Sequence, residues 1–266
     1  MIKNLNLNKT LFILTGITAL IAAVVGVLKP EMYNPVVSAR LLPAVFTQDF
    51  VVILASLVLI VLAILLKQND YRKLIVIYGI LGFFFYAYGI YSIEQVYTSL
   101  YLLYLIILAC SFYVLIFSIS SMDKHAIEGL NISPIIRYIA AGYGVFIAIM
   151  FNFIWISQLI PLLRSGERIE YTFSVYVIDL VFIMPAFVIA AFLTIRKRAI
   201  GLTGLPALFI LGVGILSPLA LAEVFKPLRY DMPVNHGEFW LYSILSMTFL
   251  FLSSIYLIAI KRSKQS

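Results

Sequence analysis

The chain has 266 residues, of which 63% are hydrophobic and 12% charged, with a mean hydropathy of +1.07; this balance excludes a water-soluble globular domain. Its net charge of +7 sits in short segments beside apolar runs, where membrane topology accounts for it and no nucleic-acid partner is implied. The single Cys110, inside an apolar run, excludes an intrachain disulfide, a CxxC redox pair and a Cys-rich metal cage.

Eight apolar runs follow in order, at about 11–28, 50–66, 74–93, 98–120, 135–158, 173–195, 202–222 and 239–260. Each is close to the ~20 residues that a helix needs to cross a bilayer. The first, preceded by Lys3 and Lys9, has the charge layout of a secretory signal. No small-x-small cleavage site precedes Lys29-Pro30, so it reads as a retained span. The expected fold is an all-α polytopic transmembrane bundle in a single domain, 1–266, with eight spans and seven as the alternative number.

Charge orients the bundle. With both termini inside, Lys3, Lys9, Lys67, Arg72, Lys73, Lys124, Arg137, Arg196, Lys197, Arg198, Lys261, Arg262 and Lys264 face the cytoplasm. Only Lys29, Arg40, Arg164, Arg168, Lys226 and Arg229 face outward, and this bias favours an N-in, C-in arrangement. Acids run the other way: Asp70, Asp123 and Glu128 lie inside and the other nine of twelve outside.

Narrow polar or small-residue stripes mark single helix faces. They are Asp49, Ser56 and Ala63; Tyr97, Tyr101, Tyr104, Ser111 and Ser118; Thr172, Asp179, Ala186 and Ala190; and Ser243, Ser246 and Ser253. Helix packing accounts for such stripes in membranes. The seventh run carries Gly201, Gly204, Pro206, Gly212, Gly214 and Pro218 and reads as kinked or partly unwound, as at transporter substrate sites. The polar segment 223–238 after it reads as a solvated connector, or as a lid over the outer mouth. Asp49 and Asp179, Glu94 and Glu223, and Lys67 and Arg196 are 129 or 130 residues apart. That spacing suggests a parallel repeat of four spans, 1–130 and 131–260.

Asp179 is the ionisable residue inside the sixth run. Counting back from Arg196-Lys197-Arg198 puts it about 25 Å along the helix, in the outer part of the membrane. A carboxylate there needs a partner, water or a proton, and so marks a candidate site. Asp49, Glu94 and Glu223 also fall near outer span ends. Together with Tyr101, Tyr104, Asn152 and Trp155 they suggest an outward-open acidic and aromatic cavity suited to a small cation, an amine or a proton. Tyr91, Tyr97 and Gln158 complete its expected lining, although an aromatic belt accounts for most of the tyrosines.

Catalytic constellations are sparse, and no catalytic residue or cofactor is expected. His125 and His236 lie on opposite sides, leaving His236 with Asp49, Asp179 and Glu223 as the remaining metal candidate. No Gly-x-Ser-x-Gly, Walker A or intramembrane Lys is present. Asp49 and Asp179 would form an aspartyl dyad only if the second and sixth helices touch.

The run Tyr176-x-x-Asp179-Leu180, Pro185, Arg196-Lys197-Arg198 and Gly201 resembles a cassette of uncharacterised bacterial polytopic membrane proteins. The resemblance covers about a tenth of the chain. It implies a multi-pass protein of a prokaryotic cytoplasmic (inner) membrane, and no chemistry. Three readings follow: a small-solute binding or transport protein, a non-catalytic membrane subunit or sensor, and a membrane-embedded enzyme acting on a lipid. The bilayer is the expected partner.

Overall fold

In hydrocarbon a chain must satisfy its own backbone hydrogen bonds, so apolar runs of this length become helices. The computed structural model describes residues 3–169 and 172–260. Its helices are α1 (Leu5–Leu28), α2 (Leu42–Leu65), α3 (Tyr71–Ile93), α4 (Tyr101–Ser120), the short α5 (Lys124–Glu128), α6 (Pro134–Ser165), α7 (Phe173–Ile178), α8 (Met184–Ile195), α9 (Ala199–Arg229) and α10 (His236–Ala259). A π turn, Asp179–Ile183, joins α7 and α8 into one span. Eight helices among the described residues are long and apolar enough to cross a membrane. Apolar side chains such as Leu14, Leu54, Phe153, Val181 and Met247 point outward around the bundle, as lipid requires. The protein is an integral, multi-pass membrane protein.

Two spans outrun their apolar runs. α6 has 32 residues and α9 has 31, about 46–48 Å at 1.5 Å per residue against a core of about 30 Å, so both project into the headgroup region. Gly166, at φ 69°, closes α6 in the left-handed conformation that glycine adopts freely. The segment 223–238 is thus no long loop: helix runs to Arg229, and α10 starts at His236 with Asn235 as its cap.

α9 is not unwound at its glycines and prolines. It is continuous through Pro206, Pro218 and Pro227, because its glycines serve packing. Added Cβ atoms at Gly79 and Gly82 of α3 would meet Ile210 at 2.5 Å and Leu211 at 2.8 Å, and one at Gly214 would meet Phe83 at 2.5 Å. Side chains of each helix fill notches in the other, which is how helices associate where no water drives them together. α3 is the most buried span, with 83% of an 18-residue apolar stretch buried.

Helix ends are closed by charge. At the end of the bundle that carries the starts of α1 and α3, Lys9 donates to Ile64 O of α2, Arg72 to Ile258 O of α10 and to Ile260 O just after it, and Arg137 to Thr194 O and Ile195 O of α8. Cationic donors suit the carbonyl ends of helices. Glu128 accepts from Ala199 N at the start of α9. Lys261, Arg262 and Lys264 lie outside the described residues.

Within residues 1–130 the first span packs on the second and fourth, and the third on the second and fourth; the fifth to eighth spans repeat that order. The third and seventh spans, α3 and α9, meet across the middle.

Gly79→Ala is expected to cost about 1–3 kcal/mol through overpacking, seen as a lower unfolding midpoint in detergent. Gly142→Ala, whose Cβ meets nothing within 4 Å, should not lower it.

Candidate functional site

Asp49 stands in the third turn of α2, on the inward stripe that continues through Ser56 and Ala63, all buried. Its carboxylate is 2% exposed and its neighbours come from three other spans and a connector. Tyr33, from the 3-10 turn Pro30–Tyr33, donates its hydroxyl to Oδ2 at 2.7 Å. Tyr91 of α3 donates to Oδ1 at 3.4 Å. Tyr104 of α4 lies 3.2 Å, oxygen to oxygen, from the Tyr33 hydroxyl, and Thr98 Oγ1 lies 3.1 Å from that of Tyr104. The Tyr91 and Tyr104 rings are 5.1 Å apart, and Tyr88 packs on both at 5.9 and 5.7 Å. α1 contributes Gly26, where a Cβ would collide with the Asp49 carboxylate and the Tyr33 hydroxyl; a bare backbone is what lets α1 close the cage.

Next to the cage, at the end of the bundle where α1 gives way to α2, is a cleft of about 200 Å³ lined by Pro30, Glu31, Tyr33, Asn34, Leu42, Phe46, Arg229 and Tyr230. Tyr33, 1% exposed, stands between this cleft and Asp49. Burial first, then Tyr91 and Asp49 nearby, holds its hydroxyl well above the usual phenol range, so it remains a donor at physiological pH.

Asp179 occupies a second, separate setting. It is 5% exposed and accepts from Trp155 Nε1 of α6 at 2.8 Å, with the Tyr86 hydroxyl of α3 close by. Trp155 packs edge-on against Tyr176 at 5.5 Å, and Tyr176 donates to Gln158 Oε1. Asp179 opens the π turn, and Met184 N–H reaches back to its carbonyl. Pro185, one residue later, has no N–H to continue the α ladder, and a wider turn ahead of it absorbs the mismatch.

Glu223 and Glu94 do something else. Glu223, 2% exposed, pairs with Lys226 and accepts from Asn235 N at 2.8 Å, tying the end of α9 to the start of α10. Glu94 accepts from Ser174 N at 2.8 Å and so caps the sixth span from the end of α3. Asn152 donates to Ala148 O of its own helix, and Tyr101 to Ser92 O. Tyr97 is 61% exposed.

The expected single cavity is therefore divided. Asp49 and Tyr104 come together with Tyr91, and Asp179 comes together with Trp155. α2 and the Asp179 span share no packed face, since α3 and α9 lie between them, so no aspartyl dyad forms. Among the described residues no three His, Cys, Asp or Glu side chains gather as a metal site would require; His236 is exposed at the start of α10.

Sequence reading missed Tyr33, Tyr86 and Tyr88. Tyr33 sits between Pro30 and Pro35 in what reads as a connector, and nothing local turns its side chain inward. α3 is apolar on every face, so its inward tyrosines show no stripe.

Lys226→Met is expected to leave Glu223 buried without its cation and to cost about 3 kcal/mol. The double variant with Glu223→Gln should lose less than the sum of the single losses, as read from thermal unfolding in a double-mutant cycle.

No protein family, curated protein or solved structure matches this chain.

Proposed function

We propose that this membrane protein binds a proton or a small monovalent cation at Asp49, reached from the outer side, and moves or senses that solute across the cytoplasmic membrane of a prokaryote. The observation that carries the reading is a carboxylate buried among tyrosine hydroxyls. The ion pairs among the described residues are Lys73–Asp70, Arg198–Glu128 and Lys226–Glu223, and none involves Asp49 or Asp179. A buried carboxylate without a basic partner needs a proton or a cation, and intramembrane acids of this kind mark solute and proton pathways. Tyrosine faces add cation–π attraction for a small cation. Asp179, held by the neutral donor Trp155 with Tyr86 beside it, is the second group on that route.

A second reading, a non-catalytic subunit or sensor whose acids hold loops together, is favoured by Glu94 and Glu223, which bond helix starts. The recurring neighbour order of the spans supports a duplicated four-span unit, 1–130 and 131–260. On that reading Asp49 and Asp179 lie on equivalent spans with different surroundings.

The site is tested by infrared difference spectra of the protein in lipid membranes as pH is stepped. A protonated-carboxyl band should titrate in the wild type, lose its Asp49 component in Asp49→Asn while the Asp179 component remains, and persist in Glu223→Gln; Na⁺ or methylammonium that occupies the site should reduce the Asp49 component. Identical spectra for wild type and Asp49→Asn would remove Asp49 from the reading.

Asp179→Asn is expected to insert normally but to abolish proton uptake by proteoliposomes, measured with an entrapped pH dye. Unchanged uptake would take Asp179 off the route.

A further inference from the structure

We infer that Thr98, Tyr104 and Tyr33 form a proton conduit from the outer rim to Asp49, which makes the proton the ligand exchanged there. This rests on the binding proposed for Asp49 and specifies its ligand and its path.

A hydroxyl has one hydrogen to donate, and an ionised carboxylate only accepts. With Asp49 ionised, the Tyr33 hydrogen is committed to Oδ2 at 2.7 Å. The 3.2 Å contact between the Tyr33 and Tyr104 hydroxyls then requires Tyr104 to donate. Its hydrogen being used, Tyr104 must accept from Thr98 at 3.1 Å. All three hydrogens therefore point inward along one line.

With the proton on Oδ2 of Asp49, the same contacts hold with every hydrogen reversed. Asp49 donates to Tyr33, Tyr33 to Tyr104 and Tyr104 to Thr98, whose hydrogen faces out. The two polarities differ by one proton passed at each link. A hydronium ion at the rim gives its proton to Thr98 and leaves as water. Thr98 passes its own to Tyr104, Tyr104 to Tyr33, and Tyr33 to Asp49. Each hydroxyl breaks one O–H bond and forms one, and the carboxylate charge is neutralised. The hydroxyls must then rotate back before a second proton follows, so passage is one proton at a time.

The inner members of the line are buried, Tyr33 alone of them also lining the cleft. Tyr33 and Tyr104 are each 1% exposed and Asp49 is 2%, whereas Thr98 is half-buried in the connector between α3 and α4. The other titratable groups facing Asp49 are Tyr88 and Tyr91, both on α3. Tyr91 donates to the other carboxylate oxygen and Tyr88 to Ala19 O, so neither extends the line. A metal ion or an ammonium group at Oδ2 would have to displace Tyr33; a proton needs no room.

The test follows the growth of the Asp49 carboxyl band after a downward pH step, on protein in lipid membranes. Tyr104→Phe and Thr98→Val should each slow it about tenfold or more while reaching the wild-type amplitude, which also shows that the cage still folds. Tyr78→Phe, a buried tyrosine bonded to Ser118, should keep the wild-type rate. Thr98, at the rim, can be changed without opening the core, so its variant carries the test if Tyr104→Phe does not fold. Wild-type rates in Thr98→Val and Tyr104→Phe would overturn the conduit and leave the site standing. A wild type with no such band would overturn the site itself.

Discussion

The bundle depends on the contact between α3 and α9. Lipid offers no hydrophobic gain for bringing two apolar helices together, so their association must come from surface fit. Gly79 and Gly82 on one helix and Gly214 on the other provide the notches, and Ile210, Leu211 and Phe83 fill them. With α3 fixed against α9 and buried along most of its length, its tyrosines are placed on both sides of it. Tyr88 and Tyr91, three residues apart, share a face and reach the Asp49 cage. Tyr86, two residues before Tyr88 and so about 200° round the helix, reaches Asp179. One immobilised helix therefore serves two carboxylates that lie on different spans.

Helix termini explain most of the remaining charge. Lys9, Arg72 and Arg137 sit on the carbonyl ends of neighbouring helices, and Glu94, Glu128 and Glu223 accept backbone N–H groups at or just before helix starts. Both placements satisfy backbone groups that a helix cannot satisfy for itself, and both match its dipole. Asp49 and Asp179 are the exceptions. Their carboxylates meet hydroxyl and indole donors well inside spans, where no terminus needs closing, and that separates a candidate site from structural acids.

The seventh span shows how the same residues serve two readings. Glycine and proline in such density suggest a broken helix, because each weakens the backbone ladder. In the bundle α9 stays one continuous helix among neighbours on several sides, and its glycines are the price of close approach by Phe83 and Phe249. Composition alone does not distinguish a notch from a break. The difference lies in whether another side chain occupies the space.

Residue order alone determined the number of spans, their limits to within a few turns on most helices, and the inward direction of Asp49, Ser56 and Ala63. These follow from apolar length and helical period, which are local properties. It also marked Asp49 and Asp179 as acids where acids are costly. What the tertiary structure decided is their company. Tyr33 is 16 residues from Asp49 and Tyr91 is 42, while Tyr33 and Tyr104 are 71 apart; such pairings arise only once the helices have chosen neighbours. The packing of α3 and α9 also parted the two aspartates and gave each its own donors. A carboxylate reveals by position that it needs a partner, but the identity of that partner is a property of the packed bundle.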